Sequence, residues 1–102
     1  MKTTSAEEIK ARMDAGELLN LLDVREPNEH AEFNIGGLLL PLGKIHTMQI
    51  EDIEGWREKE VIVYCRSGNR SSQASLILEQ LGFMHVVNLT GGMLDWQSKF
   101  AK

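Results

Sequence analysis

The sequence predicts an α/β domain built on a mainly parallel sheet. Three observations carry that reading: short aliphatic runs at Leu18–Val24, Leu38–Leu40, Val61–Tyr64 and Val86–Leu89, helical periodicity between them, and connections long enough for crossovers. Parallel neighbours need roughly a dozen residues or more between strands, usually spent on a helix.

Ser5 followed three residues later by Glu8 forms a capping-box pattern. Ala6, Ile9 and Met13 then recur at helical spacing until Gly16 can supply a left-handed stop. Leu18 to Val24 has the aliphatic character of a strand buried on both faces, ending near Asp23. Pro27 fixes a torsion suited to the first turn of a brief helix over Asn28 to Glu32, which Gly36 and Gly37 break. Leu38 to Leu40 gives a further short strand. Lys44 to Trp56, with apolar residues at Ile45, Met48, Ile53 and Trp56 but no clean period, is expected as helix and loop.

Val61 to Tyr64 is the most strand-like run, rich in β-branched residues. Ala74, Ile77, Leu78 and Leu81 fall on one face of an amphipathic helix that begins at about Arg70 or Ser71, with Gly82 as its cap. Val86 to Leu89 is the last strand and Gly91-Gly92 a turn. Met93, Trp96 and Phe100 mark the inner stripe of a closing helix.

A chain of 102 residues, 42% hydrophobic and 25% charged, fits one domain over residues 1–102 with its own core. Its formal charge of −4 argues against nucleic acid or an anionic membrane as the main partner. Cys65 is the one cysteine, so no internal disulfide is expected, and a reducing compartment suits it. His30, His46 and His85 lie far apart, and no metal is expected. Met1 to Arg12 lacks the apolar stretch of a secretory signal, and the expected location is the cytoplasm.

The chemistry concentrates in Cys65-Arg66-Ser67-Gly68-Asn69-Arg70-Ser71. A strand ends, small and polar residues follow, and a helix begins, so backbone N–H groups can point into one concavity with the positive helix end behind them. Arg66 and Arg70 are the only charged residues between Val61 and Leu78, which makes the segment locally cationic. All three influences favour thiolate over thiol at Cys65. At its ordinary pKa of about 8.5 a cysteine is only about 3% thiolate at pH 7, so such a shift multiplies the reactive form. A lone cysteine behind a buried strand is usually an inert small hydrophobe. Two arginines, a central glycine and a helix start within six residues are what set this one apart.

These residues resemble the single-domain rhodanese (thiosulfate sulfurtransferase) family in three separated segments. They are Asp23-Val24-Arg25-Glu26, the Cys65 to Ser71 loop, and Leu89-x-Gly91-Gly92-x-x-x-Trp96. The resemblance implies a rhodanese-like fold with about five strands and helices on both faces of the sheet, and no cofactor. It implies Cys65 as the sulfur-carrying nucleophile and the amides of Arg66, Ser67, Gly68, Asn69, Arg70 and Ser71 as its cradle. Arg66 and Arg70 would hold an anionic donor such as thiosulfate, Arg70 also bracing the loop, and the acceptor would be a thiol, cyanide or a protein. Asp23 and Arg25 would fix neighbouring loops by ion pairing, and Gly91, Gly92 and Trp96 would be turn and core. The chain departs from the family pattern at Asn34-Ile35-Gly36-Gly37, where it is one residue shorter.

Two rivals belong beside this reading. Tyrosine phosphatases and arsenate reductases also set a thiolate and an arginine around an oxyanion, but the phosphatase loop is Cys-x5-Arg and here it is Cys-x4-Arg. An arsenate reductase also needs a second thiol, which the chain lacks. The other rival is a sulfur carrier or protein-binding module that does not turn over alone. The retained Cys65 and both arginines speak against a purely binding role.

Overall fold

A computed structural model of the protein describes residues 1–100. Five strands form one all-parallel sheet: β1 (Lys2–Thr4), β2 (Leu21–Asp23), β3 (Leu38–Leu39), β4 (Glu60–Tyr64) and β5 (His85–Leu89), in the order β1-β5-β4-β2-β3. Five α-helices connect and flank them: α1 (Ala6–Asp14), α2 (Pro27–Glu32), α3 (Leu42–His46), α4 (Asn69–Gln80) and α5 (Gly92–Lys99). A 3-10 helix over Glu51–Trp56 precedes β4. Among the described residues no helix is long and apolar enough to cross a membrane.

The sheet divides two apolar clusters. One holds Val61, Val63, Ala74, Leu78, Ile45 and Ile53, under α3 and α4. The other holds Ile9, Ile62, Tyr64, Leu89, Met93 and Trp96, under α1 and α5. Strand alternation sends odd and even residues of β4 to opposite clusters, and both are fully buried, so this strand reads as a continuous apolar run.

Local signals explain the helix ends. Ser5 Oγ accepts the Glu8 amide at 3.1 Å, satisfying one of the unpaired N–H groups that open α1. Gly82, at φ +98°, closes α4 in the left-handed conformation, and the Phe83 amide reaches back to the Leu78 carbonyl at 3.0 Å.

Three elements differ from the sequence reading. β1 was not visible as a strand, because Lys2 and Thr3 are exposed and polar; its rungs come from β5, to which Thr4 adds a bond from the Thr90 amide. β2 is shorter than Leu18 to Val24: pairing begins where the Asn20 carbonyl accepts the Ile62 amide at 2.8 Å, and Leu18 is fully exposed. α2 ends at Glu32 as the sequence predicts, but Phe33, turning to extended backbone at φ −161°, stops it rather than the glycines. β3 keeps only Leu38 and Leu39.

The order of strands places the functional end. After β2 the chain runs outward to β3, then returns past β2 to form β4, so the segments leaving β2 and β4 diverge. Phe33 and Ile35, after β2, pack on one cluster; Ala74 and Leu78, after β4, pack on the other. Such a divergence opens a crevice beyond the carboxyl ends of adjacent strands. Arg25 and Cys65 both stand there, each shortly beyond its strand.

Candidate active site

Cys65 is the first residue beyond β4, and strand alternation decides its direction. Val61 and Val63 face α4, so Cys65 faces α4 again, packed into the same cluster and only 1% exposed. Apolar groups form its floor, but its other neighbours are donors. Gly68 donates its amide N–H to Sγ at 3.0 Å, and Ser71 Oγ lies 3.4 Å from it. Burial pushes the thiol pKa up; the Ser71 hydroxyl and the amides of Ser71, Gly68 and Ser67 hydrogen-bond to the sulfur, outweigh burial, and bring it below the ordinary value.

The buried Ser71 hydroxyl can serve both states of the sulfur. It accepts from the thiol while donating to the Gly68 carbonyl at 3.1 Å, and its single proton can rotate onto an ionised sulfur instead. Gly68 makes the tight turn possible: it sits at φ +104°, left-handed, immediately before α4. That reversal lets successive amides converge on one point at the positive end of α4.

The loop is also held from outside. The Cys65 and Arg66 carbonyls accept the Met93 and Leu94 amides of α5, each at 2.9 Å. In a planar trans peptide the N–H points opposite to the C=O, so carbonyls drawn toward α5 turn the Arg66 and Ser67 N–H groups the other way. This contact leaves no room beside Gly92, where a Cβ would lie 2.4 Å from the Cys65 carbonyl oxygen and 2.6 Å from that of Arg66. Read in the sequence as turn and core, Gly92 therefore also sets the loop's approach to α5.

Asp23 and Arg25 form the neighbouring wall. Arg25 donates through Nε and one terminal nitrogen to the two carboxylate oxygens of Asp23, at 2.9 and 2.8 Å, and adds its own amide at 3.0 Å. His30 Nδ1 stands 2.8 Å from the same carboxylate. Burial alone would raise the Asp23 pKa; the bonds from Arg25 and His30 outweigh it and hold the pKa low. The guanidinium also lies over the Tyr64 ring at 5.7 Å. Tyr64 accepts the Gly37 amide, and burial with the nearby Asp23 charge pushes its phenol pKa up to about 12.

The two arginines of the loop part company. Arg70 is clamped by Glu29 of α2, through both carboxylate oxygens at 2.7 and 2.8 Å. Arg66 is exposed and makes no ion pair among the described residues. The segment read as doubly cationic in sequence is therefore half neutralised by a residue 41 positions earlier. Ser67 and Asn69 are exposed at the rim. Beside the loop, between α2 and α5, lies a cleft of about 340 Å³ that Arg25, Glu29, Glu32, Arg66, Leu94 and Gln97 help to line. Glu29 had no signal of its own in the sequence beyond a position in a short helix.

Comparison with known proteins agrees with this geometry. A family profile described as the rhodanese-like domain matches residues 5–99. The chain is 38% identical over 96 residues to the candidate sulfur carrier protein YrkF of Bacillus subtilis (strain 168), covering 93% of this chain and 50% of that protein. It is 42% identical over 90 residues to a candidate mitochondrial thiosulfate sulfurtransferase of Schizosaccharomyces pombe, covering 78% of this chain and 63% of that one. It thus spans between half and two thirds of the length of these relatives. The crystal structure of a rhodanese-like domain protein from Staphylococcus aureus superposes with a TM-score of 0.81 at 26% identity, covering 94% of this chain and 91% of that one. With a parallel five-stranded sheet of that shape and a sequence matched almost from end to end, the chain belongs to the rhodanese-like domain family.

Proposed function

We propose that residues 1–102 act as one sulfurtransferase domain, moving sulfane sulfur from thiosulfate or a similar small anionic donor through a persulfide on Cys65. The Cys65 thiolate attacks the outer sulfur of thiosulfate; a new S–S bond forms, the donor's own S–S bond breaks, and sulfite leaves with that electron pair. A thiol as its thiolate, cyanide, or a protein thiol then attacks the terminal sulfur, and Cys65 departs as thiolate. Electrons balance without a cofactor.

The observation that carries this reading is the Gly68 N–H at 3.0 Å from Sγ, within a ring of amides that favours a negative sulfur. Such a ring, preorganised and partly shielded from water, serves a persulfide anion as it serves a thiolate. In this role Arg66 draws in the anionic donor, with the amides of Ser67 to Ser71 behind it. Arg70, tied to Glu29, braces the loop. Asp23 and Arg25 hold the adjoining loop. A working thiol needs a reducing compartment, and we place the activity in the cytoplasm.

The similarity to a candidate sulfur carrier favours one variant of this reading, in which a protein acceptor rather than a small thiol takes the sulfur. Incubation with thiosulfate is expected to add one sulfur atom to the protein by intact mass, and Cys65→Ser to abolish the addition. No gain in mass with any sulfane donor overturns the proposal. Turnover with thiosulfate and cyanide alone would mark a free-standing enzyme, and loading without turnover a carrier.

A further inference from the structure

Arg66 and Arg70 are the two cations of the active-site loop, but they do not present two charges to an arriving molecule. Glu29 crosses the crevice from α2 and holds Arg70 by two hydrogen bonds, while its Oε1 also accepts the Glu26 amide at 3.0 Å. The carboxylate is thus fixed at its own helix and at α4. In the cleft beside the loop the remaining charges also balance. Arg25 is neutralised by Asp23, and Glu32 faces the same cleft as Arg66, neither of these two making an ion pair among the described residues.

We propose that Glu29 is a positioning residue that sets the charge met at Cys65: by clamping Arg70 it cancels one of the loop's two arginine charges, so the mouth draws an anionic donor less strongly than two free arginines would. The consequence for sulfur donors rests on Cys65 being the sulfur-carrying nucleophile; the charge at the mouth does not. A unit charge several Å away in a partly solvated site changes an ion's local concentration by a factor of roughly 3 to 10. That is enough to reorder donors of similar intrinsic reactivity.

Two alkylating reagents of nearly the same shape read this charge without any sulfur chemistry. Iodoacetamide is neutral and iodoacetate is an anion; with both, the Cys65 thiolate displaces iodide and forms a C–S bond. The fraction of thiolate affects both rates alike and cancels in their ratio. Glu29→Gln keeps an oxygen for the Glu26 amide and removes the charge. It is expected to raise the iodoacetate-to-iodoacetamide rate ratio about threefold or more, with the effect shrinking at high salt. Glu29→Asp, which retains the charge, should stay near the wild-type ratio, and Glu58→Gln, before the opposite end of β4, should not move it.

Arg70→Gln should lower the ratio below wild type, and the double variant should return it. An unchanged ratio in Glu29→Gln, or a parallel fall of both rates, overturns the proposal by assigning Glu29 a purely structural role. Failure of both reagents to reach Cys65 in the wild type overturns it too, since a mouth closed to small molecules selects none. Sulfur loading from thiosulfate, followed on the same samples by mass, is a separate readout: its absence counts against the sulfurtransferase reading and leaves the alkylation ratios standing.

Discussion

The Cys65 carbonyl accepts the Met93 amide at 2.9 Å, so the last helix of the chain orients the peptide whose other side faces the reactive sulfur. This contact depends on a missing side chain. A Cβ at Gly92 would stand 2.4 Å from that carbonyl oxygen, and the φ of +54° there disfavours any other residue. Gly92→Ala is expected to destabilise the fold by about 1–3 kcal/mol and to slow Cys65 alkylation, because the loop must shift to admit the methyl group. Gly43→Ala is the control. Its Cβ meets nothing within 4 Å inside α3, and it should be neutral or stabilising by up to about 1 kcal/mol in urea unfolding.

The direction of the Cys65 pKa gives a second expectation. Alkylation rate against pH should have its midpoint below that of an ordinary thiol. Ser71→Ala removes a hydrogen bond that favours the ionised form, so its midpoint should move upward. The stability contribution has a matching sign. A folded-state pKa below the unfolded one stabilises the fold fully above the unfolded value and is lost as pH falls through the folded one. Wild type should therefore gain on Cys65→Ser as pH rises between those two values. A midpoint at or above the ordinary value would contradict the hydrogen-bonding scheme.

Asp23 is fully buried and its partner Arg25 is 4% exposed. Asp23→Ala would strand the guanidinium without its counterion, a change that costs about 3–5 kcal/mol when a buried pair loses one member. Lys10→Ala, which breaks an exposed pair with Asp14 on α1, should cost less than about 0.5 kcal/mol. Denaturant unfolding of both variants separates the two cases. Similar values would mean that the Asp23 network does not hold the loops.

Acid should act through Glu29. The Arg70 guanidinium outweighs a small cost of burial and holds the Glu29 carboxyl down to about 2. Its stabilisation is complete above the ordinary carboxyl value near 4.5 and is lost as pH falls from there toward 2. Both partners are partly exposed, so solvent screening limits the amount to about 1 kcal/mol. Glu29→Gln should flatten that part of the stability-pH curve, leaving the share that belongs to Asp23.

What could be read in the sequence was what short-range physics determines. The β-branched run at Val61 to Tyr64, the turn residues after it and the helical stripe ending at Gly82 place the loop within a residue or two, because strand, turn and helix are neighbours in the chain. β1 escaped notice because its rungs come from β5, more than eighty residues away, and not from its own polar side chains. Leu18 shows the reverse error. Its aliphatic side chain looks like part of a strand, yet it lies before the first rung and is fully exposed. The charge of the site is hidden from the sequence for a similar reason, since the partner of Arg70 lies in another helix. Gly92 gave a turn signal, but only the packed loop shows which carbonyls its missing Cβ makes room for.

Both borders of the sheet are stunted, with three residues in β1 and two in β3. An unfolded neighbour seeking open rungs finds almost none, and a lysine stands on one of the two margins. Neither flank offers the long open ladder on which a further strand could add.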